Sequence, residues 1–284
     1  MKRLSTKEHW DEQYAKEEKV EQIAVVVEKK STSGNNSGLK AKLKKYIRPY
    51  AEYYLWDVLY ENYLPVGGGL KAIEVGSAPG DFMIAIAERK AYEPYGVEYT
   101  EAGAKLNKQN FKLNNYPPEN IIHEDFFSDS FQNEYKNYFD VVFSRGFVEH
   151  FDNVEEVINQ HINILKPGGA LVVSVPNFRG MNYFLLKFFN KKMIDIHNLE
   201  IMDKKNYAKL FDDAKLDSKF LDYYGGVNFW LFGTRGTLKK IIHKILIRIQ
   251  PFFDLMFNLL LRGKRPGSSM FFSPYLLSIS VKKK

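Results

Sequence analysis

Carboxylates recur at three points of this chain, each at the end of an apolar run. Glu74 and Asp81 bracket the turn in EVGSAPGDF, which also holds Gly76, Ser77, Ala78 and Gly80. Glu98, with Tyr99 beside it, closes the next apolar run, and Asp125 with Phe126 closes the third. Glycine lets a backbone adopt positive φ and approach a ligand closely. A helix starting near Gly80–Asp81 would aim free N–H groups at that ligand. The spacing is G-x-A-x-G, which is neither the G-x-G-x-x-G of a dinucleotide turn nor a phosphate loop followed by GK[ST]. Carboxylates crowded around a pyrophosphate would repel it; around a cation with an amino group and a sulfonium they would attract it. Glu98 is placed to accept from ribose hydroxyls. Asp125 can accept from an adenine amino group while Phe126 packs on the base.

The elements that must position these residues show a clear rhythm. KAIEV, YEPYGVEY, NIIHED, FDVVFS, ALVVSV, DSKFLDYY and SPYLLSISVKK read as strands. Helical patterns such as DFMIAIAERK, EAGAKLNKQNFKLNN and NVEEVINQHINILK alternate with the first five. That alternation predicts an α/β fold with a doubly wound, mostly parallel seven-stranded sheet and ligands beyond the strand C-termini. Residues 1–69 form an N-terminal helical segment, with a flexible polar loop at 31–38 and a helix break at Pro49. Its aromatics are expected to pack as core. Residues 70–284 form the ligand-binding domain, with a helical insertion at about 226–272 before the last strand. Pro167, Gly168 and Gly169 are expected to end a helix and reverse the chain.

The turn, Glu98 and Asp125–Phe126 together resemble, in order and spacing, the motifs of class I S-adenosylmethionine-dependent methyltransferases with a Rossmann-like fold. The resemblance covers roughly residues 70–225. It implies S-adenosylmethionine as cofactor and S-adenosylhomocysteine as product. It assigns Glu74, Gly76, Ser77, Ala78, Gly80, Asp81, Glu98, Tyr99, Asp125 and Phe126 to cofactor binding, with Ser144, Arg145 and Gly146 lining the ligand through backbone groups. Ala78 replaces the usual central glycine and Pro79 stiffens the turn.

FDVVFSRGFVEHF is similar to the acceptor side of small-molecule O-methyltransferases that act on quinone precursors, polyketides and glycans. Methyl transfer from a sulfonium needs alignment and removal of one proton. His150 is the candidate base, since an imidazole titrates near neutrality; Glu149 would orient it or bind a hydroxyl. A packing role for His150 is the alternative. His197 lies where relatives place a lid histidine; it is the second candidate base or a satisfied surface residue. The quinone-precursor members hold a divalent metal here with an extra carboxylate, which aligns with Gly146, so no metal is expected. Pro176 and Asn177 would border the acceptor pocket, and Tyr223, Tyr224 and Trp230 would wall it or simply pack.

Charge narrows the partners. Residues 1–50 carry a net +5, residues 51–233 a net −8 and residues 234–284 a net +10, with 11 Lys/Arg against a single acid in the last span. An acidic middle argues against nucleic acid as the substrate, and the [DN]-P-P-[FY] motif of many nucleic-acid N-methyltransferases is missing. The SAPG turn, similar to that of some RNA methyltransferases, keeps RNA methylation as an alternative; a non-catalytic binding module is another. In Thr237–Arg265, Lys240, Lys244 and Arg248 share one helix face beside apolar residues, with Pro251 expected to interrupt the helix. That stretch fits a lid, a homodimer contact or a peripheral membrane contact. Cysteine is absent and no apolar leader is seen, so a cytoplasmic protein is expected, or one at the inner membrane surface.

Overall fold

The computed structural model describes residues 2–15, 48–211, 214–232, 237–262 and 269–284; the expected loop at 31–38 lies outside them. Seven strands form one sheet: β1 Lys71–Val75, β2 Glu93–Glu98, β3 Ile121–His123, β4 Phe139–Arg145, β5 Leu165–Pro176, β6 Leu216–Tyr224 and β7 Tyr275–Lys282. Their order is β3-β2-β1-β4-β5-β7-β6. The first five run parallel, and β7 lies antiparallel between β5 and β6. β1 and β4 sit at the centre as near-continuous apolar runs because helices cover both faces. The order reverses between β1 and β4, so Glu74 lies beside Phe143 and Val75 beside Ser144. The C-terminal ends of β1, β2 and β4 therefore open into one crevice.

Local chemistry fixes where the helices start. Helix Asp81–Lys90 begins after Gly80, whose φ is 100°. A Cβ at Gly80 would meet Asn107 Oδ1 at 2.1 Å, so only glycine fits there. Thr100 caps helix Glu101–Leu113 by accepting from Gly103 N, and Asn153 caps helix Val154–Ile164 by accepting from Glu156 N. On one sheet face pack Val157, Ile158, Ile162 and Tyr207. On the other pack Met83, Ile86 and the aromatic segment 50–63, whose Tyr50, Tyr53, Tyr54, Trp56 and Tyr60 are buried core as expected.

A third apolar cluster, centred on Phe178, Leu186, Phe189, Phe229 and Phe232, builds a cap beyond the sheet. It joins helix Gly180–Phe189, the turn Phe229–Leu231 and helix Thr237–Leu261. Two local expectations change. The cap helix runs unbroken through Pro251. A proline removes one backbone hydrogen bond, and here Gln250 and Asp254 on either side anchor the helix to the body. Pro167–Gly169 fall inside β5 rather than before it: the strand begins at Leu165 straight after helix Val154–Ile164, with Gly168 at φ 83°. The extra residues are taken up by a register shift against β4 between Phe139 and Val141.

Ile73 is fully buried at the centre of β1. Ile73→Ala is expected to cost about 2–5 kcal/mol, read as a lower urea midpoint at unchanged m-value.

Candidate active site

Two cavities open off the crevice. The first, about 280 Å³, is walled by Glu98, Tyr99, Asp125, Phe126, Phe147 and the N-terminal segment. The second, about 660 Å³, is walled by Glu74, Glu149, His197, Phe178, Met193 and Tyr224, among others. They meet at a common wall that includes Gly76, Ala78, Arg145, Gly146, His150 and Trp10. Gly76 has φ 72° and faces Phe147; a Cβ there would meet that ring at 2.8 Å. Ala78 is not held at positive φ, and its bond to Pro79 is cis. Without a positive φ at this position, alanine fits the turn as glycine would. A narrow nucleoside-sized chamber and a larger chamber thus touch at the glycine turn after β1 and at the end of β4.

The carboxylates stand where the sequence placed them, each in a different environment. Glu74 is buried, and burial pushes its carboxyl up to about 8 against the opposing pull of Arg145. Arg145 Nη1 lies 3.8 Å from Glu74 Oε1, and its guanidinium sits 3.9 Å over the Phe82 ring. Glu98 Oε1 accepts from Thr100 N at 2.9 Å and Thr100 Oγ1 at 2.7 Å, which locks the carboxylate against the first cavity. Burial raises the Glu98 carboxyl, and the Thr100 bonds oppose it. Ser77 borders the second cavity, and its hydroxyl accepts from Asn107 Nδ2 at 2.7 Å. Gly80 and Asp81 border the same chamber. Phe126 packs edge-on against Phe127, Phe131 and Phe147 and closes the floor of the first chamber.

Asp125 carries a partner the sequence did not suggest. Arg3 Nη2 donates to both its oxygens at 2.6 and 2.7 Å, and the same guanidinium lies 4.5 Å from the Tyr99 ring centre. Arg3 belongs to an N-terminal strap, residues 2–15, that roofs the first chamber. Leu4 N donates to His150 O, Arg3 bridges Phe151, and Asp152 N donates to Lys2 O. Trp10 sets its ring edge-on to His150 with centroids 5.1 Å apart, and its Nε1 donates to Ser5 Oγ. No motif in the strap announces this role; the aromatic pair Trp10 and Tyr14, one helical turn apart, was the available signal.

Three acceptor-side expectations converge. Glu149, His150 and His197 are all buried, and each offers a ligand atom within 4.8 Å of the others. The His150 and His197 ring centroids are 4.4 Å apart. His150 Nδ1 meets Ile196 O at 3.1 Å and His197 Nδ1 meets Met193 O at 2.6 Å. Donation to those carbonyls leaves each Nε2 with its lone pair. Burial depresses His150 to about 4 and His197 to about 3, so both rings are neutral at working pH. Both Glu149 carboxyl oxygens are buried without a hydrogen-bond partner among the described residues, and burial pushes the carboxyl up to about 8. The 193–198 loop arrives here because Asn198 N donates to Glu149 O and Asn198 Nδ2 to Phe151 O. Gly146 offers no carboxylate here. His197 now brings a third donor, so this set has the donor types and spacing to take a divalent cation.

Other expected residues fall outside the walls. Ser144 is buried within the ladder between Val75 and Val173, so it lines neither cavity. Pro176 borders the larger chamber, whereas Asn177 donates to Met270 O and Ser273 O and is structural. Tyr224 walls the chamber, Tyr223 bonds Met202 O on the far side, and Trp230 is two-thirds exposed.

Residues 42–231 match the family model described as "Methyltransferase domain". No curated protein matches the chain. Among solved structures, the [4+2]-cyclase SpnF superposes with a TM-score of 0.53 at 12% identity, covering 81% of this chain and 80% of its own. MccD protein gives 0.53 at 11% identity, with 82% and 96% covered. Geranyl diphosphate C-methyltransferase from Streptomyces coelicolor A3(2), in complex with Mg2+, geranyl diphosphate and S-adenosyl-L-homocysteine, gives 0.51 at 12% identity, with 82% and 78% covered. At these identities the likeness is one of fold.

Because Glu74 in the free protein titrates near 8, it is largely protonated at neutral pH. A cation bound beside it favours the carboxylate, so binding S-adenosylmethionine should release a proton and tighten as pH rises towards about 8, then level off. Calorimetry in buffers of different ionisation heat should show that release in wild type and not in Glu74→Gln. Buffer-independent heats in both would separate Glu74 from the ligand.

Proposed function

The chain belongs to the methyltransferase-domain family and uses S-adenosylmethionine as methyl donor, and on that premise we propose that it transfers the methyl group to a hydroxyl of a small molecule, saccharide or lipid-linked intermediate. One observation carries this reading: a carboxylate-walled nucleoside chamber meets a larger chamber at Gly76, Gly146 and His150, with a second buried histidine and an unpartnered carboxyl on the far side. When bound, the donor supplies an electrophilic methyl on a sulfonium.

The chain's own residues do the rest. Glu98, held by Thr100, accepts from ribose hydroxyls. Phe126, Phe147 and Tyr99 flank the base, with Asp125 and Arg3 at its polar edge. Gly76 and Gly146 keep the backbone close at the junction. The narrow passage there sets donor and acceptor in line, which accounts for much of the rate when only alignment and one proton transfer are needed. His150 Nε2 takes the acceptor's hydroxyl proton. Glu149 lies in the same pocket, and an imidazolium beside it favours its carboxylate form, so that charge is not buried alone. His197 packs on His150 and Phe178 and closes the chamber. Trp10 excludes water from the other side of the His150 ring.

The acidic middle of the sequence and the absent nucleic-acid motif support a small acceptor over RNA. The chamber walls agree: Phe82, Leu55, Phe178, Met193 and Leu231 offer apolar surface with few cations for a phosphate backbone.

Two variants test the roles. Glu98→Ala should weaken S-adenosylmethionine binding at least tenfold, about 1.4 kcal/mol, by calorimetry. His150→Ala should keep cofactor affinity and lose most transfer of labelled methyl to cell extract. An unchanged rate would remove His150 as base, and label appearing mainly in the RNA fraction would favour the other acceptor class.

A further inference from the structure

The cap helix Thr237–Leu261 is apolar on both sides: Ile242, Leu246 and Phe253 pack into the cap cluster and Phe257 and Leu261 against the aromatic core, while a second apolar row faces outward. Its buried residues are Gln250, Asp254 and Asn258, one turn apart. They dock by hydrogen bonds to backbone: Gln250 accepts from Phe229 N and donates to Val227 O, Asp254 accepts from Tyr50 N, and Asn258 donates to Arg48 O. His243 joins them at Phe229 O. The exposed residues of the same helix are Leu238, Ile241, Ile245, Ile249, Phe252, Leu259 and Leu260, each 42–71% exposed. At about 100° per residue the two sets lie on opposite faces. A helix that docks on a globular body normally keeps its outer face polar; here that outer face is apolar.

The outward face has a charged border and neighbours of its own kind. Lys240, Lys244 and Arg248 are exposed and step along one edge of the apolar row, each one residue before Ile241, Ile245 and Ile249. Phe184 and Phe188 on helix Gly180–Phe189 and Trp230 are exposed too. Lys239 Nζ lies 5.3 Å from the Phe188 ring, which places that helix against the same patch. Among the described residues no helix is long and apolar enough to cross a membrane.

We propose that this face docks in the plane of an anionic lipid bilayer surface. A helix of this length presents its apolar row over roughly 37 Å, in a line rather than a groove, which suits a planar interface. The basic border then meets anionic headgroups while Leu238, Ile241, Ile245 and Phe252 enter the acyl boundary. A second copy of this chain fits less well. The sole acid in residues 234–284 is Asp254, which is buried against the body, so a two-fold contact would oppose cation to cation. The cap that carries the face also contributes Met193 and Leu231 to the larger chamber. Docking would therefore bring that chamber next to lipid.

The test uses the full chain and large vesicles, by co-sedimentation. Vesicles of phosphatidylcholine mixed with phosphatidylglycerol should bind at least tenfold more protein than phosphatidylcholine alone, with binding reduced by salt. Ile241→Glu/Ile245→Glu, and separately Lys240→Glu/Lys244→Glu/Arg248→Glu, should each lower it at least tenfold. Both should keep the wild-type circular dichroism spectrum and S-adenosylmethionine affinity, since these side chains face solvent. Lys240→Arg/Lys244→Arg should bind as wild type does. Equal binding to neutral and anionic vesicles, or no binding to either, would overturn the proposal. So would a concentration-dependent dimer in analytical ultracentrifugation that Ile245→Glu dissolves.

Discussion

Burying a carboxyl group without an opposite charge is unfavourable unless it keeps its proton or gains a partner. This chain does so repeatedly at one edge of its sheet. Among the described residues Glu74 has a guanidinium at 3.8 Å, and the Glu149 carboxyl oxygens have no hydrogen-bond partner. Glu98 leans on Thr100 and on the backbone of Ala78 and Tyr99. The other features of the crevice depend on that arrangement being held in place. The parallel ladder does so: β1, β2 and β4 are paired along their lengths, so Glu74 and Glu98 cannot swing into water without unpairing the core. The site is therefore poised for a positively charged ligand, and its groups take or release protons as that ligand comes and goes.

Precision on the acceptor side comes from backbone hydrogen bonds between segments distant in sequence. The 193–198 loop is tied to 149–151 by Asn198, and the strap is tied to 150–152 through Leu4 and Lys2. His150 sits between the two, with Trp10 on one side and His197 on the other. Donation of each Nδ1 to a carbonyl orients both rings and sets their tautomer. Exclusion of water lowers the local dielectric and strengthens every remaining interaction there. The strap's salt bridge to Asp125 links the roof of the nucleoside chamber to its polar edge, so roof and ligand compete for or share one carboxylate.

The cap follows a different rule. Its long helix docks through amide and carboxyl groups that satisfy otherwise unpaired backbone at Phe229, Val227, Tyr50 and Arg48. Such bonds add modest net stability, yet leaving those groups unmade would be costly. Polar residues thus fix how the helix docks, Ile242, Leu246, Phe253 and Phe257 pack inward beside them, and a second apolar row faces outward.

What the sequence determined by itself was local or periodic. Strand and helix alternation set the doubly wound sheet, and the residues after β1, β2 and β3 could be placed at the crevice because strand ends are legible as the close of an apolar run. Gly80 was legible because a turn into a helix at positive φ leaves few choices. The tertiary structure decided what long-range contact decides. The pattern did not reveal that Arg3 would reach Asp125 across 122 residues, or that Trp10 would cover His150. It left His197 between surface and site, because only the bonds from Asn198 carry that loop to Glu149. Ser144 was misplaced by one residue: alternation along a strand tells which positions point apart, and not which one ends at the cavity. The basic row on the last helix was visible from its spacing, but its apolar companions read equally well as buried. Only the docked helix showed that Gln250, Asp254 and Asn258 turn inward together with Ile242, Leu246, Phe253 and Phe257, and that a second apolar row stays outside.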